Sequence, residues 1–257
     1  MPKNSLARKI VHHFFGLLNR AFVLRAIRMV FGYRGAIVLM YHDIPGKEFE
    51  QQLEFLKRNF DIIPVEELVK GLEVRGSMQG KCVLTFDDGY KSFHSDIFPV
   101  IKKHSVPVTV FLIAGAIGKK FNEKNLMNWT EILELQETGL VSFGSHSLSH
   151  PHLNKLSRAQ LDRELSESKK ALEKKLGKKI EFFAAPYGEY SANHLNAFSK
   201  AGYRAALTVV EGDNIAGGNL LELKRITVEK LHKPTHIYFT TSGLNRFFQK
   251  PGLLKKI

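Results

Sequence analysis

Short apolar runs rich in β-branched residues alternate with longer segments of helical periodicity from residue 36 onward. The short runs predict strands at 36–41, 61–63, 82–86, 108–113, 141–145, 181–185, 205–210 and 225–228. The longer segments predict helices at 49–59, 65–72, 93–104, 129–138, 158–176, 192–201 and 235–248. This alternation is typical of βα units built around a parallel sheet.

The number of βα units predicts a barrel. Seven or eight units in about 220 residues favour a sheet that closes on itself over an open sheet. The chain has 257 residues, of which 44% are hydrophobic and 25% are charged, so it can bury one large core. Neither a shift in composition nor an internal repeat marks a second core. We therefore predict an α/β fold with a single, distorted TIM-like (β/α) barrel of about seven units at 35–250.

Residues 1–34 differ from the rest of the chain in charge. They contain seven Lys and Arg residues and no Asp or Glu, within a chain whose net charge is +13. Their apolar residues recur at intervals of three or four, which is the spacing of a helical face. We expect this arm to form a basic amphipathic helix, with residues 1–30 lying on an anionic membrane surface. A helix packed on the barrel is the alternative, and nucleic acid is not an expected partner.

The arm and the cysteine content bear on location. No uncharged stretch of the arm approaches the roughly 20 residues that a membrane-spanning helix requires. Cys82 is the single cysteine, so an internal disulfide is excluded and a reducing compartment is favoured. We predict a cytoplasmic protein that is peripheral to the inner membrane, with an uncleaved anchor facing outward as the alternative.

Two adjacent carboxylates follow the predicted strand at 82–86. Asp87 and Asp88 repel each other, so the pair is costly unless a cation or a shared proton relieves it. A metal ion bound to one carboxylate leaves the other available for proton transfer. Gly89 allows a sharp turn into the next helix. By itself, the same sequence would also fit a surface turn.

Two histidines follow the predicted strand at 141–145. His146 and His150 are four residues apart, so they share one face of a helical turn and can bind one ion. Pro151 disfavours continued helix at His150. Two imidazoles and one carboxylate leave ligand positions open, as a catalytic metal site requires. We expect His152 to be exposed and not to be a fourth ligand.

These elements resemble those of the polysaccharide deacetylase family, the NodB-like metal-dependent carbohydrate esterases. The similarity rests on Thr-Phe-Asp-Asp-Gly at 85–89 and on His-Ser-Leu-Ser-His-Pro at 146–151. The resemblance implies that Asp88, His146 and His150 bind zinc or another divalent ion, such as Co2+, Ni2+, Fe2+ or Mn2+. It also implies that Asp87 is the general base and that the substrate is an N-acetylated amino-sugar glycan.

Phe-Phe-Ala-Ala-Pro-Tyr-Gly at 182–188 resembles the proline-tyrosine-glycine segment of that family. The resemblance implies that the backbone N–H of Tyr187, framed by Pro186 and Gly188, stabilises the oxyanion. Many members have an arginine shortly before this proline, where the present chain has alanine. The general base therefore needs another cation, for which we predict Arg225. An arginine in an ordinary salt bridge is the alternative for that residue.

The family's late leucine-x-histidine element, whose histidine is the general acid, does not occur in this sequence. The first predicted strand instead runs into His42, and in a closed barrel the first strand neighbours the last. This arrangement resembles the circularly permuted branch that includes the poly-N-acetylglucosamine deacetylases. We therefore predict His42 as the general acid, with a histidine that caps the strand as the alternative. We expect Tyr90 to line a sugar subsite.

Together these residues predict a metal-dependent hydrolase that removes N-acetyl or related small acyl groups. Its expected substrate is an amino-sugar polysaccharide or a lipid-linked glycan. An amidase that acts on a small amide and a non-catalytic carbohydrate-binding protein are alternatives. An iron-dependent oxygenase uses the same set of two histidines and one carboxylate. The second aspartate beside that set favours hydrolysis over oxygenation.

Overall fold

The computed structural model describes residues 33–228 together with residues 237, 240 and 241. Most of the predicted arm at 1–34 and most of the predicted helix at 235–248 therefore lie outside the described residues. The described strands are β1 (Ile37–Tyr41), β2 (Asp61–Ile62), β3 (Lys81–Phe86), β4 (Val108–Leu112), β5 (Lys120–Phe121), β6 (Lys124–Asn125), β7 (Val141–Ser145), β8 (Phe182–Ala184), β9 (Ala205–Leu207) and β10 (Ile226–Thr227). The described α-helices are α1 (Gly46–Asn59), α2 (Val65–Glu73), α3 (Phe98–His104), α4 (Trp129–Glu137), α5 (Arg158–Leu176) and α6 (Ala192–Lys200). None of these helices is long and apolar enough to cross a membrane.

Seven strands form one curled parallel sheet in the order β10-β1-β3-β4-β7-β8-β9, and β2 pairs with β3 outside this path. The segment before β10 joins the two ends of this order. Leu223 bridges to Leu207 of β9, and Ile226 is in register with Leu39 of β1. The predicted parallel (β/α) barrel is therefore confirmed, and its last strand lies beside its first.

A cluster of aromatic rings packs between the sheet and α1. The side chains of β1 and β4 are buried along both strands, as expected for strands covered on both faces. The ring centroid of Phe49 on α1 lies 5.5 Å from that of Tyr41 and 5.4 Å from that of Phe86, in edge-to-face geometry. Phe86 also stacks on Tyr41 and contacts Phe93. Because Tyr41 and Phe86 are the last residues of β1 and β3, the cluster fixes the ends of both strands.

A β-hairpin inserted after β4 is the main element that the sequence did not predict. β5 and β6 pair antiparallel, with Lys120 opposite Asn125. Asn122 and Glu123 connect them with φ of 46° and 62°, the left-handed conformation of a two-residue hairpin turn. The two strands carry charged and polar residues in place of an alternating apolar pattern, so hydrophobic periodicity could not reveal them.

The strand predicted at 205–210 is shorter than expected. β9 ends at Leu207, because the Thr208 hydroxyl accepts a hydrogen bond from the Val210 N–H (3.2 Å) and favours a local turn. Val209 and Val210 are each 41% exposed. These two valines continue the apolar run in the sequence without continuing the strand.

Replacing Phe49 by alanine tests the aromatic cluster. The side chain is fully buried, so Phe49→Ala should lower the free energy of unfolding by about 3 to 5 kcal/mol through lost contacts and a cavity. Leu133→Ala, at a residue of α4 that is 38% exposed, should change it by less than about 0.5 kcal/mol. Urea titration followed by circular dichroism measures both values. Equal effects of the two substitutions would contradict this packing.

Candidate active site

A cavity of about 430 Å³ opens at the carboxyl ends of the barrel strands. Parallel barrels place their chemistry at this end, because the loops that follow the strands converge there. The predicted site residues that line the cavity are His42, Asp87, Asp88, Tyr90, His146, His150, Tyr187, Gly188 and Arg225. Pro186 is buried in its turn and does not line the cavity. Nine of the residues predicted from the sequence thus lie together in this cavity. Eight of them follow the ends of four different strands, and Arg225 directly precedes β10.

Three side chains, the metal set of Asp88, His146 and His150, converge on one point of this cavity. The Nε2 atoms of the two histidines lie 3.1 Å apart, and each lies 3.5 Å from Oδ1 of Asp88. All three donor atoms fall within 4.8 Å of one another, so a single ion could contact them together. Two imidazoles and a carboxylate suit zinc or a related divalent ion and leave coordination positions open.

The protonation of the two histidines fits such an ion. Nδ1 of His146 donates a hydrogen bond to the Ala184 carbonyl (2.8 Å), which leaves Nε2 unprotonated in the neutral ring. Burial, aided by the neighbouring His150 and Arg225, outweighs the opposing charge of Asp87 and lowers the pKa of His146 to about 3. Burial also lowers the pKa of His150. Both imidazoles are therefore neutral at physiological pH, which is the form that binds a metal.

Arg225 binds the other carboxylate of the adjacent pair, Asp87. Nη1 of Arg225 lies 2.7 Å from Oδ1 of Asp87, and both side chains are almost completely buried. Arg225 also donates from Nε to the Thr208 carbonyl (2.8 Å) and from Nη1 to the Thr85 hydroxyl (3.4 Å). Burial by itself would raise the pKa of Asp87, but the charge of Arg225 and of nearby histidines lowers it to about 2. Asp87 is therefore a carboxylate throughout the physiological pH range.

The backbone adopts uncommon conformations at this site. Asp88, His150 and Tyr187 have φ of 68°, 59° and 55°, a region that non-glycine residues rarely occupy. Gly89 follows with φ of 78°, and a Cβ at that position would come within 2.6 Å of the Leu112 side chain. Left-handed conformations of this kind cost on the order of 1 to 3 kcal/mol each and cluster at ligand sites. Here they occur at two of the three residues of the metal set.

Tyr187 connects the metal set to the rim of the cavity. Its ring packs edge-on against His150, with centroids 4.7 Å apart, and stacks flat on His152 at 4.0 Å. Nδ1 of His152 is hydrogen-bonded to Glu189 (2.8 Å). The side chain of His152 is 41% exposed, and this residue is not among the converging ligands of the described part of the chain. The loop after β8 is thus ordered by contacts with both histidines.

Three cavity residues come from the hairpin that the sequence did not reveal: Phe121, Asn122 and Lys124. The ring of Phe121 packs against His150, with centroids 4.8 Å apart. Lys124 forms an ion pair with Asp43, which holds the hairpin to the loop after β1. An asparagine that tolerates a left-handed turn was the one local signal for this element, and it is weak without a following glycine.

Tyr90 lines the cavity and also supports the metal set. Its side chain is only 6% exposed, and its hydroxyl hydrogen-bonds with Asp88 and Asn122. Burial and the adjacent Asp88 carboxylate raise the pKa of Tyr90, so it remains a protonated donor. This contact links the loop after β3 to the hairpin.

Known proteins resemble this chain in sequence. The sequence model of the family described as polysaccharide deacetylase matches residues 76–206. The Bacillus subtilis protein YxkH is 31% identical over 201 residues, which cover 74% of this chain and 70% of that protein. The poly-β-1,6-N-acetyl-D-glucosamine N-deacetylase of Staphylococcus epidermidis is 28% identical over 188 residues, which cover 69% of this chain and 65% of that enzyme.

Solved structures share the same barrel. The Streptococcus pyogenes deacetylase PplD, in complex with acetate, is 26% identical with a TM-score of 0.72, and the match covers 80% of this chain and 97% of that one. IcaB from Ammonifex degensii is 24% identical with a TM-score of 0.74, and the match covers 82% of this chain and 98% of that one. These matches show that the fold of this chain is shared with solved structures over about four fifths of its length.

Removal of the cation beside Asp87 tests the buried ion pair. Arg225→Met leaves a buried carboxylate without its partner, so it should lower the free energy of unfolding by about 3 to 5 kcal/mol at pH 7. In a protein that also carries Asp87→Asn, the same substitution should cost clearly less. Arg204→Met, which breaks a more exposed ion pair with Glu73, should cost less than about 1 kcal/mol. Urea titration measures each value.

The ion pair also predicts how stability depends on pH. The folded-state pKa of Asp87 is lowered, so its contribution is present above about pH 4 and is lost as the pH falls toward 2. The difference in unfolding free energy between unaltered protein and the Asp87→Asn variant should follow this course.

The coupling between Arg225 and Asp87 has a clear contrary outcome. If Arg225→Met lowers the free energy of unfolding equally with and without Asp87, the two side chains are not coupled.

Proposed function

Because this chain belongs to the polysaccharide deacetylase family, we propose that it is a metal-dependent hydrolase that removes N-acetyl groups from an amino-sugar glycan. One observation carries the proposal. Of two adjacent carboxylates, Asp88 lies next to His146 and His150, whereas Asp87 forms an ion pair with Arg225. A hydrolase of this kind needs one carboxylate for an ion and another for a proton.

Asp88, His146 and His150 are the residues that would hold the ion, for which zinc suits the donor set best. A divalent ion bound there would lower the pKa of a water molecule and polarise the acyl carbonyl. The hydrogen bond from His146 to Ala184 and the contact of Tyr90 with Asp88 would orient two of the three ligands.

Asp87 would act as the general base and accept the proton of the hydrolytic water. It is ionised at neutral pH, and Arg225 holds its carboxylate in one orientation within the cavity. Arg225 is therefore a positioning residue in this mechanism. It stands in for the family arginine that this chain lacks before Pro186, but it approaches from β10 and not from β8.

His42 would protonate the departing amine, and the backbone N–H of Tyr187 would stabilise the oxyanion of the attacked carbonyl. His42 lines the same cavity as Asp87 and is close enough to lower the pKa of that carboxyl. The amide C–N bond breaks, the acyl carbon gains the water oxygen, and the sugar nitrogen leaves as an amine. Gly188 keeps the loop close to Val209, since a Cβ there would come within 2.1 Å of the valine.

The substrate class is supported by the relatives. The Staphylococcus epidermidis enzyme is named for poly-β-1,6-N-acetyl-D-glucosamine, and PplD binds acetate, the acid that deacetylation releases. We propose an N-acetylglucosamine polymer or a lipid-linked glycan with the same sugar as the substrate of this chain.

The arm at 1–34 would bring the catalytic barrel at 35–250 to its substrate. Its seven positive charges and its lack of acidic residues favour an anionic membrane surface. We propose a peripheral position at the cytoplasmic face of the inner membrane, where a lipid-linked glycan is within reach.

Deletion of residues 1–30 should abolish co-sedimentation of the protein with vesicles that contain phosphatidylglycerol, because the deletion removes most of the arm's positive charge. Binding of the full chain should weaken as salt is added, and it should be weak on phosphatidylcholine vesicles. Undiminished binding of the shortened protein would refute the membrane role of the arm.

Acetate release from β-1,6-linked N-acetylglucosamine oligomers tests the catalytic proposal. Zinc-loaded protein should release acetate, and chelation should stop the release. Asp87→Asn should retain the ion and lower kcat by more than about 100-fold. Asp61→Asn, which alters an exposed ion pair with Lys81, should leave kcat unchanged. Full activity of Asp87→Asn would refute its role as base, and no release by the zinc-loaded protein would refute the function.

A further inference from the structure

The segment between the two histidines of the metal set does not form the helical turn expected from their spacing. Residues 146–150 form an irregular loop after β7, in which Ser147 and His150 have φ of 67° and 59°. Left-handed residues of this kind persist only where the surrounding structure holds them. The two Nε2 atoms lie 3.1 Å apart, so their convergence depends on the contacts that hold this loop.

The segment after β4 fixes the backbone carbonyls of the loop. The N–H groups of Ala114 and Gly115 donate to the carbonyls of Ser147 (3.0 Å) and Leu148 (2.8 Å). The two segments approach closely, since a Cβ at Gly115 would come within 2.6 Å of the Leu148 oxygen. The backbone N–H groups of the loop need hydrogen-bond acceptors of their own.

Glu164 of α5 supplies most of these acceptors. Its Oε2 atom accepts hydrogen bonds from the N–H groups of Leu148 and Ser149, both at 2.9 Å. Its Oε1 atom accepts a third from the Ser149 hydroxyl (2.6 Å). The N–H of His150 donates to the Ser147 hydroxyl (2.9 Å). Every backbone N–H from residue 148 to 150 is therefore bonded to a side chain, and Glu164 accepts two of the three.

Glu164 differs from the other acidic residues of α5. Each of the other three forms an ion pair with a Lys or Arg four residues before it on the helix: Asp162, Glu167 and Glu173. Glu164 forms no ion pair with any residue that the structure describes. Its neighbours Leu161 and Leu165 are buried and pack this part of the helix against the barrel. The half-buried carboxylate thus connects the core to the loop between the histidines.

We propose that Glu164 is a positioning residue for the metal set. By holding the loop between His146 and His150, it keeps both imidazoles directed at one ion. This inference rests on the metal site of the proposed function and names the residue that organises two of its three ligands. Residues that support ligands without touching the ion change metal affinity by about 10- to 100-fold when they are removed. Because the support consists of hydrogen bonds to the loop, the reach of the side chain matters more than its charge.

Zinc affinity of the full chain, measured by competition with a chelator, tests this role. Glu164→Ala removes all three contacts and should weaken zinc binding by more than about tenfold. Glu164→Asp keeps the charge but shortens the side chain by a methylene group, so it should weaken binding to a similar extent. Glu164→Gln can accept from both N–H groups through its amide oxygen and donate to the Ser149 hydroxyl through its amide nitrogen. It should therefore weaken binding by less than about threefold.

Glu167→Ala is the matched control, because Glu167 lies about one turn further along α5 and pairs with Arg163. Its zinc affinity should equal that of the unaltered protein. Thermal unfolding of each metal-free variant verifies that the fold is kept, and the Asp and Gln variants decide the question if Glu164→Ala does not fold. A purely structural role would lower the melting temperature equally with and without zinc. A positioning role should also reduce the rise in melting temperature that zinc produces.

Equal zinc affinities of Glu164→Ala and the unaltered protein would overturn the inference. Binding by Glu164→Gln that is as weak as that of Glu164→Ala would also overturn it, because charge would then replace hydrogen bonding as the cause.

Acetate release separates this inference from the proposed function. If the unaltered protein binds zinc but releases no acetate, while the variants rank as expected, the catalytic proposal fails and the role of Glu164 stands. If acetate is released and Glu164→Ala binds zinc as tightly as the unaltered protein, the role of Glu164 fails and the catalytic proposal stands.

Discussion

A buried ion pair between Arg225 and Asp87 keeps two neighbouring carboxylates in separate surroundings. Without it, Asp87 and Asp88 would repel each other, and both would compete for the same histidines or the same ion. Arg225 comes from the segment that closes the ring between β9 and β10, whereas Asp87 directly follows β3. The contact that keeps the two carboxylates apart is therefore made by the same segment that closes the barrel.

The barrel interior makes burial of this guanidinium possible. Thr208 and Thr85 accept its hydrogen bonds, and the ring of Phe111 on β4 lies 5.9 Å from its central carbon. These contacts offset the free-energy cost of removing the guanidinium from water, which would otherwise exceed the electrostatic gain from one ion pair. The aromatic cluster at the ends of β1 and β3 then holds the strained turn at Asp88 in place. Packing and electrostatics thus stabilise the site together.

Local motifs made much of this site predictable. The carboxylate pair and the histidine pair are residue types that commonly bind metals, and each pair follows an apolar run. Because the carboxyl ends of parallel strands meet at one end of a barrel, the topology places the two pairs close together. Arg225 could be predicted because the aspartate expected to act as general base required a cation that the nearby sequence did not supply. Closure of the ring explains how a residue so late in the chain reaches Asp87.

Other parts of the site could not be predicted, for physical reasons. The hairpin that brings Phe121 and Lys124 to the cavity pairs polar strands, which leave no hydrophobic period. The bend at Thr208 depends on a hydrogen bond between its side chain and the backbone, while the flanking valines alone favour strand.

A crystal structure of the zinc-loaded protein, with the ion located by its anomalous scattering, tests the central claim most directly. That claim is that the adjacent carboxylates serve different partners. We predict an ion bound by Asp88, His146 and His150, with Asp87 still paired with Arg225. An ion bound through Asp87, or an Arg225 side chain released from Asp87, would contradict it.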